Sequence, residues 1–226
     1  MAYVRFPARS RPRLLGIIGV AAWLAVVAAG LLTLTAHGAA AGPPASPPAE
    51  LPADGELSPS LRRAGRAMLV VAAHPACPCT RATLRQLERV LASTRPADSE
   101  AARGADVVVL FGGPLGDART DRIASDLRAI AAAIPGVRLV DDPGGVQTAS
   151  LGAKTSGTVL FYDRTGRLRF NGGITPGRGH EGDSAGADAL RALLREEAID
   201  DVPAERTSSS ATSVFGCELF DRSERP

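Results

Sequence analysis

The sequence predicts an α/β domain with a mainly parallel sheet, standing behind one N-terminal membrane-spanning helix. Three observations lead there. Strand-length apolar runs alternate with stretches of helical apolar spacing, the pattern of parallel strands joined by helices. A hairpin signature then breaks the alternation and adds antiparallel strands. At the start, residues 14–36 run LLGIIGVAAWLAVVAAGLLTLTA without a charge.

That run has 23 residues, and at about 1.5 Å per residue it is long enough to cross about 30 Å of hydrocarbon. Residues 1–13 carry Arg5, Arg9, Arg11 and Arg13 and no acid; the first acidic residue is Glu50. The positive-inside rule therefore expects residues 1–13 in the cytoplasm and everything after residue 36 outside. A cleaved signal peptide is the alternative, but its apolar region is usually about 7–15 residues. Residues 37–60 are proline-rich and read as an extended, semi-stiff spacer.

The main domain is expected over residues 61–200. Residues 67–73 form a continuous apolar run, as for a strand buried on both faces. From Thr80 the apolar positions Leu84, Leu87, Val90 and Leu91 make a helical stripe. Residues 105–111, ADVVVLF, predict a second buried strand. Residues 120–133 predict a helix with Ile123, Leu127 and Ile130 on one face, stopped by Pro135-Gly136. Residues 137–140 suggest a short strand, and residues 144–152 a loop with a helical turn. Residues 158–162 and 168–171 flank Asp163-Arg164-Thr165-Gly166, a hairpin. Residues 184–197 predict a last helix, and residues 201–226 form a tail that carries Cys217. Helices are expected on both faces of the sheet.

The net charge of +2 leaves no electrostatic footprint for nucleic acid. The chemistry lies in the three cysteines. Cys77 and Cys79 occupy the turn His74-Pro75-Ala76-Cys77-Pro78-Cys79, between the first strand and the first helix. Backbone N–H groups at a helix start favour negative charge and lower a thiol's pKa, and the thiolate is the attacking species in disulfide exchange. A disulfide between residues two apart is strained and easily reduced. With an odd number of cysteines, Cys217 is either a resolving partner for Cys77 or a small buried residue.

The strand–helix order, with cysteines between the first strand and first helix, resembles the thioredoxin fold, a three-layer sandwich. Four segments together, HPACPCT (74–80), TSGTVLFYDRTG (155–166), GGITPGRGHEGD (172–183) and VFGC (214–217), resemble a family of bacterial membrane-anchored thioredoxin-like proteins sometimes labelled RedB. The resemblance implies a single-pass protein of the bacterial cytoplasmic membrane, with its domain in the periplasm or outside. It implies thiol–disulfide exchange with a protein or small-molecule disulfide. Thioredoxins use Cys-x-x-Cys; here one residue separates the thiols. Pro78-Cys79 can match the second half of that motif, which leaves Ala76 in the first cysteine's place; alternatively Cys77 is that first cysteine and one residue is missing. Gly157 stands where the fold normally has a proline facing the thiols.

In this fold the loop after the hairpin returns to the thiol face, so Arg178 could stabilise a thiolate and His180 could move a proton. Asp183 or Ser184 would cap the last helix. His74 either tunes the thiolate or shapes the turn. The expected roles are Cys77 attacking, Cys79 as its buried partner and Cys217 resolving. The alternative from another class is a metal-delivery module, holding copper or zinc on Cys77, Cys79, Cys217, His180 and His74. Peroxide-reducing relatives of the fold place a threonine before the catalytic cysteine, whereas Thr80 follows Cys79.

Overall fold

The structure is a computed structural model. It describes residues 11–51, 61, 65–75, 77–94, 105–112, 118–198 and 210–220. The arginine-rich segment 1–10, Ala76, most of the second half of the expected spacer and residues 199–209 lie outside the described residues. The chain divides into two units, Met1–Ala39 and Ala40–Pro226.

In the first unit, helix α1 spans Arg11–Ala39. Its part Leu14–Ala39 is long and apolar enough to cross a membrane. Leu15, Val26, Leu32 and Leu34 are exposed, so the apolar surface runs all round the helix. That is the pattern of a membrane span or a signal sequence, not of an amphipathic helix on a core.

In the second unit, strands β1 (Ala67–Ala73), β2 (Ala105–Gly112) and β3 (Val137–Asp142) are parallel. Strand β4 (Thr158–Tyr162) runs antiparallel to β1, and β5 (Leu168–Gly172) antiparallel to β4. A two-residue strand β6, Ser210–Ala211, pairs in parallel with β5, giving the order β3-β2-β1-β4-β5-β6. The β4–β5 hairpin closes as its sequence demands. Asp163 Oδ1 accepts from Thr165 N, Thr165 Oγ1 and Arg167 N, and Gly166 takes a positive φ of 87°.

Helices α2 (Pro78–Thr94), α3 (Ala118–Ala133) and α5 (Ala185–Ala198) complete the α/β order. Ser184 Oγ accepts from Ala187 N, so Ser184 is the cap expected for α5. The short α4, Val146–Ser150, is held by Asp142, whose carboxylate accepts from Gln147 N, Thr148 N and Thr148 Oγ1.

Successive strand residues point to opposite faces, so two cores form. One joins Leu69, Val71, Val109 and Phe161 to Leu84, Leu87, Leu127 and Leu190 of the three long helices. The chain moves in one direction from β1 to β2 to β3. Right-handed crossovers then put α2 and α3 on the same face. The other core joins Met68, Val70, Val108, Leu110, Leu160 and Tyr162 to Leu51, Leu61 and Leu151. Among the described residues of this unit, long helices therefore cover one face and not both. The third layer is α4 with segments that belong to neither helix nor strand.

This changes the reading of the spacer. Its first half, residues 40–51, lies on the domain as a strap. Gly42 N donates to Val214 O, Ser46 N to Gly152 O and Leu51 N to Gly166 O, while Leu168 N donates to Ala49 O. Tyr162 Oη donates to Pro48 O at 3.2 Å, and Leu51 is buried. Proline removes donors but keeps its carbonyl, so a proline-rich segment still serves as an acceptor strip. Tyr162→Phe should lower stability by about 0.5–1.5 kcal/mol and speed proteolysis within residues 42–51. A chemical denaturation curve and timed digestion check this; unchanged digestion would mean that the strap is not held at Tyr162.

Candidate functional site

β1 ends at Ala73, and the chain turns with Cys77 N donating to His74 O at 3.2 Å. Helix α2 then begins at Pro78, two residues earlier than the apolar stripe predicted. Proline fits the first helical position because its missing N–H has no partner there. The N-cap is thus Cys77, not Cys79. Its sulphur lies where a capping oxygen normally accepts the first free N–H groups of a helix.

Cys77 is 1% exposed, and Cys79 is half-buried. This reverses the expected burial of the pair. Cys217 Sγ lies 2.9 Å from Cys77 Sγ. A disulfide is about 2.05 Å long, so a shift of roughly 0.9 Å closes the two sulphurs into a bond. The Cys217 thiol, hydrogen-bonding to Cys77, brings the Cys77 thiol down to about 5. Burial opposes this, and the N–H groups of Cys217, Cys79 and Thr80 reinforce it. Cys217 is pushed far up, first as the donor in that hydrogen bond and then by burial. Cys79 is raised by burial and by the neighbouring Cys77 charge, with Arg178 pulling it back in part. The reduced site therefore holds one thiolate and two protonated thiols at neutral pH.

Two hydroxyls fix the turn. Ser156 Oγ accepts from His74 N at 2.9 Å and lies 2.8 Å from Thr80 Oγ1. Ser156 N donates to Cys217 O at 2.8 Å. Ser156 thus joins the thiol turn, the first turn of α2 and the tail. The sequence carries it inside Thr155-Ser156-Gly157, but nothing in the residue type marks it. Gly157, at φ 93°, donates its N–H to Ala72 O, and a Cβ there would lie 2.9 Å from Thr83 Oγ1. The backbone that meets the Cys217 segment is thus Ser156, one residue before the glycine expected to face the thiols.

His74 is half-buried, and burial lowers its imidazole pKa while the nearby Cys77 charge raises it by less. The ring is neutral at pH 7, and the residue also shapes the turn through its backbone. Arg178 lies close enough to favour the charged forms of Cys79 and Cys217, and it also binds backbone. Its Nη1 donates to Gly216 O at 2.6 Å and its Nε to Ala40 O at 3.0 Å, so it ties the tail to the strap beside Cys217. His180 is exposed, with Nδ1 bonded to Arg178 O, and no hydrogen bond joins it to a thiol among the described residues. Glu181 pairs with Arg89 on α2. Among the described residues no group of three or more His, Cys, Asp or Glu side chains converges as a metal site.

No protein-family model and no curated protein matches the sequence. Solved structures do match. A hypothetical protein from Sinorhizobium meliloti 1021 is 18% identical with a TM-score of 0.53, over 80% of this chain and 93% of its own. An uncharacterized conserved protein from Geobacillus kaustophilus is 14% identical with a TM-score of 0.54, over 80% and 92%. A secreted Mycobacterium tuberculosis disulfide oxidoreductase is 17% identical with a TM-score of 0.37, over 60% and 83%. The fold is thioredoxin-like. In this thioredoxin-like domain the thiol turn sits between the central strand β1 and α2, with the β4 entry beside it.

The Cys77 pKa is depressed in the folded, reduced protein, from about 8.5 in an unfolded chain. Its stabilising contribution is thus fully present above the unfolded value and is lost as pH falls through about 5. Thiolate ultraviolet absorbance of the reduced protein should show one thiolate with a midpoint near pH 5. Cys217→Ala removes the donor and should move that midpoint up. A single ordinary thiol midpoint in the unaltered protein would contradict the geometry.

Proposed function

We propose that the protein is a membrane-anchored, extracytoplasmic thiol–disulfide oxidoreductase whose working pair is Cys77 and Cys217. The observation that carries this is the Cys77 sulphur at the start of α2, 2.9 Å from the sulphur of Cys217. The Cys77 thiolate attacks one sulphur of a partner disulfide. A mixed disulfide forms, and the other partner sulphur leaves as a thiolate. Cys217 then loses its proton and attacks Cys77 Sγ. The Cys77–Cys217 disulfide forms and the first partner sulphur departs. Two electrons pass from the protein to the partner; run backwards, the same steps oxidise a dithiol.

Cys79 stays protonated beside the pair and is the competing partner for Cys77. A Cys77–Cys79 bond spans only one residue and meets disulfide geometry poorly. Cys217 arrives from another part of the chain and carries no such constraint. The RedB-type assignment, with the N-terminus in the cytoplasm and the domain outside, is supported by α1, by the arginines of residues 1–13 and by the four resembling segments. An oxidising compartment fits a resting disulfide.

Copper or zinc delivery on Cys77, Cys79 and Cys217 is the competing use of the same thiols. Peptide mapping of the oxidised full-length protein should recover Cys77 linked to Cys217, and Cys79→Ser should leave that link in place. Disulfide reductase activity on a protein substrate should vanish in Cys77→Ser. A metal bound at one per chain, lost in Cys77→Ser with no reductase activity in the unaltered protein, would favour metal delivery instead.

A further inference from the structure

Cys77 is the innermost of the three thiols. It is buried, while Cys79 and Cys217 are each half-buried and meet solvent. Cys217 lies 2.9 Å from its sulphur, and Cys79 is a hydrogen-bonding neighbour of the same atom. A buried sulphur thus has two outer thiols within reach, one from the tail and one from the first turn of α2. The Cys77–Cys217 pair uses the first of them and leaves the second without a role.

Cys79 has surroundings of its own. The Arg178 guanidinium and the Gly179 N–H both favour its charged form, and both come from the loop after β5. Arg178 is fixed by Gly216 O and Ala40 O, which are backbone atoms and not thiols. Burial, the Cys77 charge and the Cys77 hydrogen bond oppose a Cys79 thiolate, in that order. The last two exist only while Cys77 is a free thiolate. A Cys77–Cys217 bond removes both and leaves Arg178 and Gly179 in place. Oxidation of the inner pair therefore moves the favoured negative charge outward, from Cys77 to Cys79. Pro78 and Gly179, beside Cys79, are exposed.

We propose that Cys79 is the outer port of the pair: an external thiol reopens the buried Cys77–Cys217 bond through Cys79, by way of a short-lived Cys77–Cys79 disulfide. The proposal rests on the oxidoreductase reading and adds the route by which the oxidised form is reduced. The Cys79 thiolate attacks Cys77 Sγ. The Cys77–Cys79 bond forms, the Cys77–Cys217 bond breaks, and Cys217 leaves with the electron pair and takes up a proton. A neighbour held in the same turn has the advantage of proximity over a dilute external thiol.

The new disulfide spans one residue and is strained. An external thiolate attacks its solvent-facing end, Cys79 Sγ. A mixed disulfide forms on Cys79, and Cys77 leaves as the thiolate that Cys217 and the N–H groups of Cys79 and Thr80 stabilise. A thiol of low pKa is the faster leaving group. A second external thiolate attacks the external sulphur of the mixed disulfide. It departs as an external disulfide, and Cys79 is released as a thiolate and protonated. Two electrons have passed from two external thiols to the protein. The one-residue spacing suits this use, because strain makes the Cys77–Cys79 bond an intermediate and not a resting state.

The test uses the full-length protein in detergent, oxidised until peptide mapping shows the Cys77–Cys217 link, with glutathione as the external thiol. The reaction is stopped with acid at early times, and mass analysis locates the first glutathione adduct. It should sit on Cys79, with Cys77 and Cys217 free. Cys79→Ser keeps the link but lacks the attacking thiol, and the link should open about tenfold more slowly or worse at the same glutathione concentration. Cys79→Ala serves if the serine variant does not fold. A first adduct on Cys217, or a link that opens in either variant at the unaltered rate, would overturn the port while leaving the Cys77–Cys217 oxidoreductase intact. Oxidised protein that lacks the link would overturn the oxidoreductase reading and, with it, the port.

Discussion

Everything at the site depends on one sulphur at the start of a helix. Cys77 occupies the cap position of α2, where the N–H groups of Cys79 and Thr80 favour a negative atom. Burial works in the opposite direction, because a thiolate taken from water loses its solvation. The balance is decided by Cys217, whose thiol and backbone N–H both favour the Cys77 thiolate. Without the tail the same helix start would hold a buried sulphur with fewer partners. The tail is held in turn by Ser156, whose hydroxyl fixes the His74 turn and whose N–H holds Cys217 O. The helix start, the β4 entry and the tail thus form one hydrogen-bonded unit, and none of the three positions the thiolate alone.

The sheet explains why so much irregular chain is needed. Both crossovers lie on one face, which leaves Met68, Val70, Val108, Leu110 and Leu160 to be covered from the other. Leu51, Leu61 and Leu151 do so, each contributing about 1.5–3 kcal/mol by burial. The strap that brings Leu51 passes Thr155, whose Oγ1 donates to Pro43 O, and meets the tail at Val214. Arg178 joins strap and tail through Ala40 O and Gly216 O. Segments expected to be a spacer and a tail are therefore parts of the wall around the thiols.

The regular elements were legible because their signals are local. Residues 67–73 are apolar at every position and residues 105–111 at all but Asp106, and the Asp163–Gly166 turn carries its own hydrogen bonds. The thiols could be placed at a strand-to-helix turn for the same reason. Which thiol caps the helix could not be read, since Cys77 and Cys79 are both compatible with the pattern. The structure decides it, since α2 begins at Pro78. The loop after the hairpin does return to the thiols, with Gly179 N–H and Arg178 acting on Cys79, while the His180 imidazole bonds to Arg178 O.

The sequence by itself determined the strand and helix order, the apolar N-terminal helix and the presence of a two-cysteine turn between the first strand and its helix, because periodicity, proline and turn chemistry act over a few residues. The tertiary structure alone decided that Cys217 stands against Cys77, that Ser156 holds it there and that residues 40–51 lie on the domain. Those contacts join positions far apart in the chain, Cys77 with Cys217 and Gly42 with Val214, and they depend on how β1, β4 and residues 40–51 and 214–219 meet. The opening pair Cys77 and Cys79 thus becomes a set of three thiols, in which the long-range partner lies 2.9 Å away and the near one caps nothing.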